Sequence, residues 1–190
     1  MKTISKPEAA EYAAAERVRD KMIVLETERL VLRRLSADDA EFILELLNQP
    51  SFLQYIGDKG VRNNDDAINY IQTGPVASYE RFGFGLYLVE LKDTAVPIGI
   101  CGLLKRDTLP DVDVGFAFLP DYWSRGYAFE AAAAVMNYGK EVLGLRRIVA
   151  ITSLDNEASI RLLAKIGLKF ERLIKLSEDQ PEVRLFGTSW

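Results

Sequence analysis

A chain of 190 residues with 48% hydrophobic and 27% charged residues has the balance of one globular domain with a sizeable buried core. It contains no histidine and a single cysteine, Cys101, which excludes Ser-His-Asp and Cys-His catalysis, histidine-ligated metals, internal disulfides and multi-cysteine metal sites. The net charge of −4 weighs against nucleic acid as the main partner and agrees with a cationic substrate.

No apolar run reaches the ~20 residues that a membrane-spanning helix requires. Glu8, Glu11 and Glu16 stand among alanines where a signal peptide would place a basic end and an apolar stretch. The expectation is a cytoplasmic protein that engages no membrane. Cys101 reads as a small apolar filler of a strand, because no histidine exists to activate its thiol. Any acid–base step must therefore use a carboxylate, Tyr, Lys, Cys or water.

In chain order, Pro7 to Lys21 is alanine-rich and charged, a helical extension over residues 1–22 ahead of one domain over 23–190. Met22 to Leu35 is partly alternating and predicts a first strand. Ser36 to Asp39 forms a capping box in its aspartate variant, followed by Ala40, Ile43, Leu44 and Leu47 at helical spacing, with Pro50 just beyond the end. Asn64, Asp65 and Asp66 start a second helical stretch that Gly74 and Pro75 kink or divide. Then Phe84–Glu90, Ile98–Leu104 and Val112–Leu119 predict three strands of an antiparallel meander, joined by short turns. After Tyr122 the pattern is helical, with Phe129, Ala132, Ala133, Met136 and Lys140 on one stripe and Gly144 closing the helix. Arg147–Thr152 predicts a strand, Glu157–Ile166 a helix ended by Gly167, and Leu168–Ile174 and Val183–Gly187 two more strands.

The informative stretch is Val114 to Ala131, which reads as strand, tight turn and helix start. Ser124, Arg125, Gly126, Tyr127 and Ala128 would present successive backbone N–H groups at a positively polarised helix terminus, which suits a pyrophosphate. Gly126 permits a ligand to approach the backbone, and Arg125 adds charge. Taken alone, one glycine before a helix is also an ordinary strand–helix turn. The chain has neither a Walker-type phosphate loop nor a GxGxxG turn.

A second stretch, Arg147 to Phe170, follows at a fitting distance. Together the two resemble the GNAT acetyltransferase superfamily, in particular its ribosomal-protein N-acetyltransferase (RimJ/RimL-like) branch. The likeness runs through Glu26-Thr-Glu-Arg-Leu30, Asp113-Val-Gly-Phe116, Tyr122-Trp-Ser-Arg-Gly-Tyr-Ala128, Asp155-Asn-Glu-Ala-Ser159 and Lys165-Ile-Gly167. It implies an α+β fold: a central, mostly antiparallel twisted sheet with a splayed strand pair, flanked by helices. It also implies acetyl-CoA as cosubstrate without a metal, direct attack by an amine, and a monomer or homodimer.

By this resemblance Phe116, Ala117 and Phe118 pair through their backbone with the pantetheine arm. Ser124, Arg125, Gly126, Tyr127, Ala128 and Phe129 hold the pyrophosphate. Where the family has Gln or Arg three residues before the glycine, this chain has Trp123. Asn156 would bond near the cofactor arm or simply cap a helix, and Ser159 would lie near the sulfur or at the surface. Asp113 is the candidate general base, matching an acidic family position, with a structural ion pair as its alternative. The family's tyrosine acid is replaced by Leu163, which leaves Ser159 as the alternative thiolate partner. Glu130 reads as structural, since a carboxylate aimed at pyrophosphate would repel it. Tyr55, Phe82 and Phe84 are either core or acceptor-pocket residues. The acceptor itself is a protein N-terminal amine or a small-molecule amine such as an aminoglycoside, polyamine or amino acid, because loops set specificity on a shared scaffold, and a catalytically degenerate acetyl-CoA-binding module is the alternative to an enzyme.

Overall fold

The computed structural model describes residues 22–190. They run β1 (Ile23–Glu26), β2 (Leu30–Arg34), α1 (Ala40–Leu47), α2 (Pro50–Tyr55), α3 (Asn64–Ile71), α4 (Ala77–Phe82), β3 (Leu86–Leu91), β4 (Pro97–Leu104), β5 (Val112–Phe118), α5 (Tyr127–Glu141), β6 (Arg147–Thr152), α6 (Glu157–Lys165), β7 (Lys169–Ile174) and β8 (Val183–Ser189). The helical extension expected at the N-terminus lies outside the described residues.

Eight strands form one sheet in the order β1-β2-β3-β4-β5-β6-β8-β7. Every neighbouring pair is antiparallel except β5 and β6. Alternation along the strands feeds a core on each face. Tyr87, Val89, Cys101, Leu103, Val114 and Phe118 pack toward α5 and α6, whereas Leu88 and Ile100 pack toward α1 and α3. Helix α5 buries Ala131, Ala132, Val135, Met136 and Gly139. That stripe is rotated from the expected one, which leaves Lys140 exposed and Phe129 half-buried.

One local reading is corrected and two are refined. The first strand is a hairpin, because the Thr27 Oγ1 accepts the Leu30 N–H at 3.0 Å and closes a turn between β1 and β2. Pro50 starts α2 as well as following α1, since a proline is tolerated in a first helical turn. Gly74 and Pro75 divide the second helical stretch, as expected, but without a break in the helical path. Pro75 sits in a wide π-helical turn, Gln72–Val76, which absorbs its missing N–H between α3 and α4.

A buried charge network ties the hairpin to the rest. Arg33 on β2 donates to both carboxylate oxygens of Asp39, at 2.7 and 2.9 Å, and to Glu90 on β3 at 2.9 Å. The Asp39 carboxylate also accepts the Ser36 N–H at 2.8 Å, which completes the expected capping box ahead of α1. Replacing Arg33 strips two buried carboxylates of a shared cation. Arg33→Ala is expected to cost ~3–5 kcal/mol in urea unfolding. A loss below ~1 kcal/mol would class the network with weak surface pairs.

Candidate active site

The parallel pair β5 and β6 shares only two register positions, Val112↔Ile148 and Asp113↔Val149. Beyond Asp113 the strands part, while β5 stays paired with β4 as far as Gly99↔Phe118. The outer edge of Val114–Phe118 thus faces a wedge-shaped opening, with no strand on it among the described residues. Phe116 and Ala117 are half-buried along this edge and Phe118 is buried. The Phe118 carbonyl accepts the Trp123 indole N–H at 2.8 Å, which fixes the turn at the wide end.

From that turn the chain enters α5 through two left-handed residues, Ser124 (φ 59°) and Gly126 (φ 83°). Gly126 is the N-cap of this 15-residue helix. The first-turn N–H groups of Tyr127, Ala128 and Phe129 lack intrahelical acceptors, as at any α-helix start, and the helix polarises them positively. The loop therefore has the donor set of an anion site.

An interaction absent from the sequence-based reading braces it. Glu130 in the first turn of α5 accepts from the Thr27 hydroxyl at 2.6 Å, the Arg29 backbone N–H at 2.9 Å and the Arg29 Nε at 2.7 Å. Arg29 also donates to the Arg125 carbonyl at 3.0 Å and lies 4.6 Å over the Tyr127 ring. Burial alone would raise the Glu130 carboxyl pKa, yet the Thr27 and Arg29 hydrogen bonds hold it below its ordinary value. Glu130 is thus a structural group with its charge neutralised, as expected. Arg29 was visible only as a member of the Glu26–Leu30 motif, since 101 positions separate it from its partner.

At the narrow end of the wedge, Asp113 is 1% exposed and both its carboxylate oxygens lie 3.0 Å from the Arg106 Nε. Burial raises its pKa, with the Arg106 charge opposing. Across the wedge, α6 starts where the Asn156 Oδ1 accepts the Ser159 N–H at 3.1 Å, so Asn156 does cap the helix. Its side-chain amide N–H₂ is left for other partners. Ser159 is half-buried at this helix start. Leu163 is 1% exposed and part of the core. The strand, loop and α6 residues singled out in the sequence thus bracket one opening. Phe84 is buried core, Tyr55 half-buried, and Phe82 lines a separate cavity beside Arg106.

Residues 29–169 match the family model of the acetyltransferase (GNAT) domain. The chain belongs to the GNAT acetyltransferases. Relatives in Bacillus subtilis such as YoaA and YnaD are named N-acetyltransferases, and this GNAT chain is an N-acetyltransferase. It is 33% identical over 154 residues to the N-acetyltransferase YoaA of Bacillus subtilis, covering 80% of this chain and 86% of that one. The acetyltransferase of Agrobacterium tumefaciens superposes with a TM-score of 0.75 at 26% identity, covering 87% of this chain and 94% of that one. RimL, the ribosomal L7/L12 α-N-protein acetyltransferase solved with coenzyme A, gives a TM-score of 0.75 at 18% identity. That alignment covers 88% of this GNAT chain and 97% of RimL, and shows the shared fold.

The depressed pKa of Glu130 gives a signed test. Its stabilising contribution is present above the ordinary carboxyl value of 4.5 and is lost as pH falls through the lower folded value. The stability difference between the native chain and Glu130→Gln should be constant above pH 5 or so and shrink in acid. A difference independent of pH, read by denaturant unfolding, would count against the brace.

Proposed function

We propose that the chain binds acetyl-CoA in the wedge between β5 and β6 and transfers the acetyl group to an amine by direct attack. The observation that carries this reading is the opening of the β5–β6 seam after Asp113, beside a helix start rich in free N–H groups. The unpaired edge of Phe116, Ala117 and Phe118 suits the amides of a pantetheine arm. The backbone of Ser124, Arg125, Gly126, Tyr127, Ala128 and Phe129 suits the pyrophosphate, and Glu130 does not oppose it because Arg29 neutralises its charge. The Asn156 amide N–H₂ offers one more donor near the arm.

In the reaction the amine nitrogen attacks the thioester carbonyl carbon, and the carbon–sulfur bond breaks. The amine proton must leave, and the thiolate must gain a proton or a hydrogen bond. Asp113 is our candidate for taking the amine proton, because burial raises its pKa and makes it a better base than an exposed aspartate. Ser159 is our candidate partner for the thiolate. Backbone N–H groups of β5 would stabilise the developing oxyanion. The acceptor we favour is a protein N-terminal amine, in line with the branch resemblance and the activity for which RimL is named. A small-molecule amine is the second reading, because acceptor-facing loops set specificity on a shared scaffold. With acetyl-CoA as cosubstrate, we read the enzyme as cytoplasmic.

Calorimetry with acetyl-CoA tests the first half. Gly126→Val puts a β-branched residue at φ 83°, with its Cβ 3.3 Å from the Arg29 Nη2, and should weaken binding about tenfold or more. Unchanged affinity would refute the pyrophosphate loop. For the base, Asp113→Asn should lower kcat about 10²-fold or more while leaving acetyl-CoA affinity intact. In the native enzyme kcat/KM should fall as pH drops through the raised Asp113 pKa, and that limb should vanish in the variant. Native rates in Asp113→Asn across pH would remove Asp113 from the mechanism. Free-thiol release against a panel of peptides and small amines separates a catalyst from a module that only binds the cofactor.

A further inference from the structure

The face of the sheet that carries α1–α4 holds a cavity of about 280 Å³, between the Gln72–Val76 turn with α4 and the ends of β3 and β4. Two of its lining residues, Leu86 and Leu104, also lie over β5 at Gly115: a Cβ there would stand 2.7 Å from the Leu104 Cδ1 and 3.7 Å from the Leu86 Cδ2. A third, Arg106, holds Asp113 at the point where β5 leaves β6. The cavity therefore adjoins the narrow end of the wedge, from the side opposite α5.

Its charge is unbalanced. Arg81, Lys105 and Arg106 line it, and no Asp or Glu does among the described residues. Asp113 compensates Arg106. Lys105 is held by the Leu109 and Pro110 carbonyls, at 2.9 and 2.6 Å, and Arg81 lies 4.8 Å over the Phe82 ring. Among the described residues neither Arg81 nor Lys105 has an ion-pair partner. In a chain of net charge −4, this cavity gathers positive charge that Asp113 offsets only at Arg106. Guanidinium groups present planar donor forks that match carboxylate and phosphate oxygens.

We propose that this cavity is the acceptor subsite and that it takes an oxyanion, carboxylate or phosphate, carried by the amine that is acetylated. The proposal rests on acetyl transfer at the β5–β6 wedge. It reverses the expectation of a simple cationic substrate drawn from net charge. Cations in the cavity would repel a polyamine and hold an amino acid, an amino phosphate or an acidic peptide.

The test compares matched acceptors that differ only in the anion. One arm sets β-alanine and 4-aminobutyrate against their amides, and O-phosphoethanolamine against ethanolamine. The other sets tetrapeptides with Glu after a free N-terminal residue against the same peptides with Gln. In at least one arm the anionic member should show kcat/KM about tenfold or more above its neutral partner. Which arm responds tells whether a small molecule or a peptide brings the oxyanion. Arg81→Gln, at an exposed position, should pull that ratio toward one, and Arg81→Lys should restore part of it. Ratios near one in every pair, with thiol release from neutral amines, would overturn the subsite and leave the acetyltransferase reading standing. If acetyl-CoA fails to bind, that reading falls, and calorimetric titration of the same acids and amides judges the subsite by itself. Binding of an acid over its amide that depends on Arg81 would support it; equal binding would end it.

Discussion

Two hydrogen-bonded register positions between β5 and β6, followed by divergence, are the constraint on which the rest of this structure depends. A sheet gains by continuing its ladder, because an unpaired strand edge leaves backbone groups to water. Here the ladder stops in the middle of an eight-stranded sheet, so something must hold the strands apart. On the β5 side the Trp123 indole fixes the Phe118 carbonyl, and α5 packs its small residues Ala131 and Ala132 against the sheet. On the β6 side full pairing with β8 along the other edge, from Arg147↔Ser189 to Thr152↔Arg184, fixes the course of that strand. The opening is thus built by satisfied neighbours rather than by a local defect.

The electrostatics follow from the same opening. A first-turn carboxylate such as Glu130 ordinarily stabilises a helix start by opposing its positive end. At an anion site the same charge would compete with the ligand. Arg29 removes the conflict: it draws the Glu130 carboxylate into the β1–β2 turn and binds the Arg125 carbonyl, so one side chain couples the far edge of the sheet to the loop. Arg106 stands at the narrow end, where its charge opposes the rise that burial gives the Asp113 pKa.

How much of this was legible in the sequence depended on range. The strand–turn–helix unit around Gly126 and the cap at Asn156 are set by neighbours a few positions apart, and periodicity and cap chemistry reveal them. The β1–β2 hairpin was missed because Thr27 closes its turn with a hydroxyl in a stretch with neither glycine nor proline. Gly74 and Pro75 marked the division of the helical stretch, but not its form, because a π-helical turn can absorb a proline that an α-helix cannot. The Arg29–Glu130 brace and the Arg81, Lys105 and Arg106 cavity were out of reach, since both bring together side chains from elements that touch only once the sheet has formed.

The absence of histidine sharpens what remains. With Leu163 in the core, the family's tyrosine acid has no counterpart at that place, and Cys101 is buried with its thiol pKa pushed up. A chain so equipped has no imidazole for proton transfer, so in the proposed reaction that task falls to one carboxylate, Asp113, and to water. The mechanism we propose therefore leans on placing the amine against the thioester, with fixed backbone donors to meet the charge that develops, the kind of catalysis that depends most on positioning. That requirement gives the cavity beside Arg106 its meaning. If little chemistry is available at the reacting atoms, binding energy from a remote group on the acceptor becomes the means of bringing its amine to the wedge.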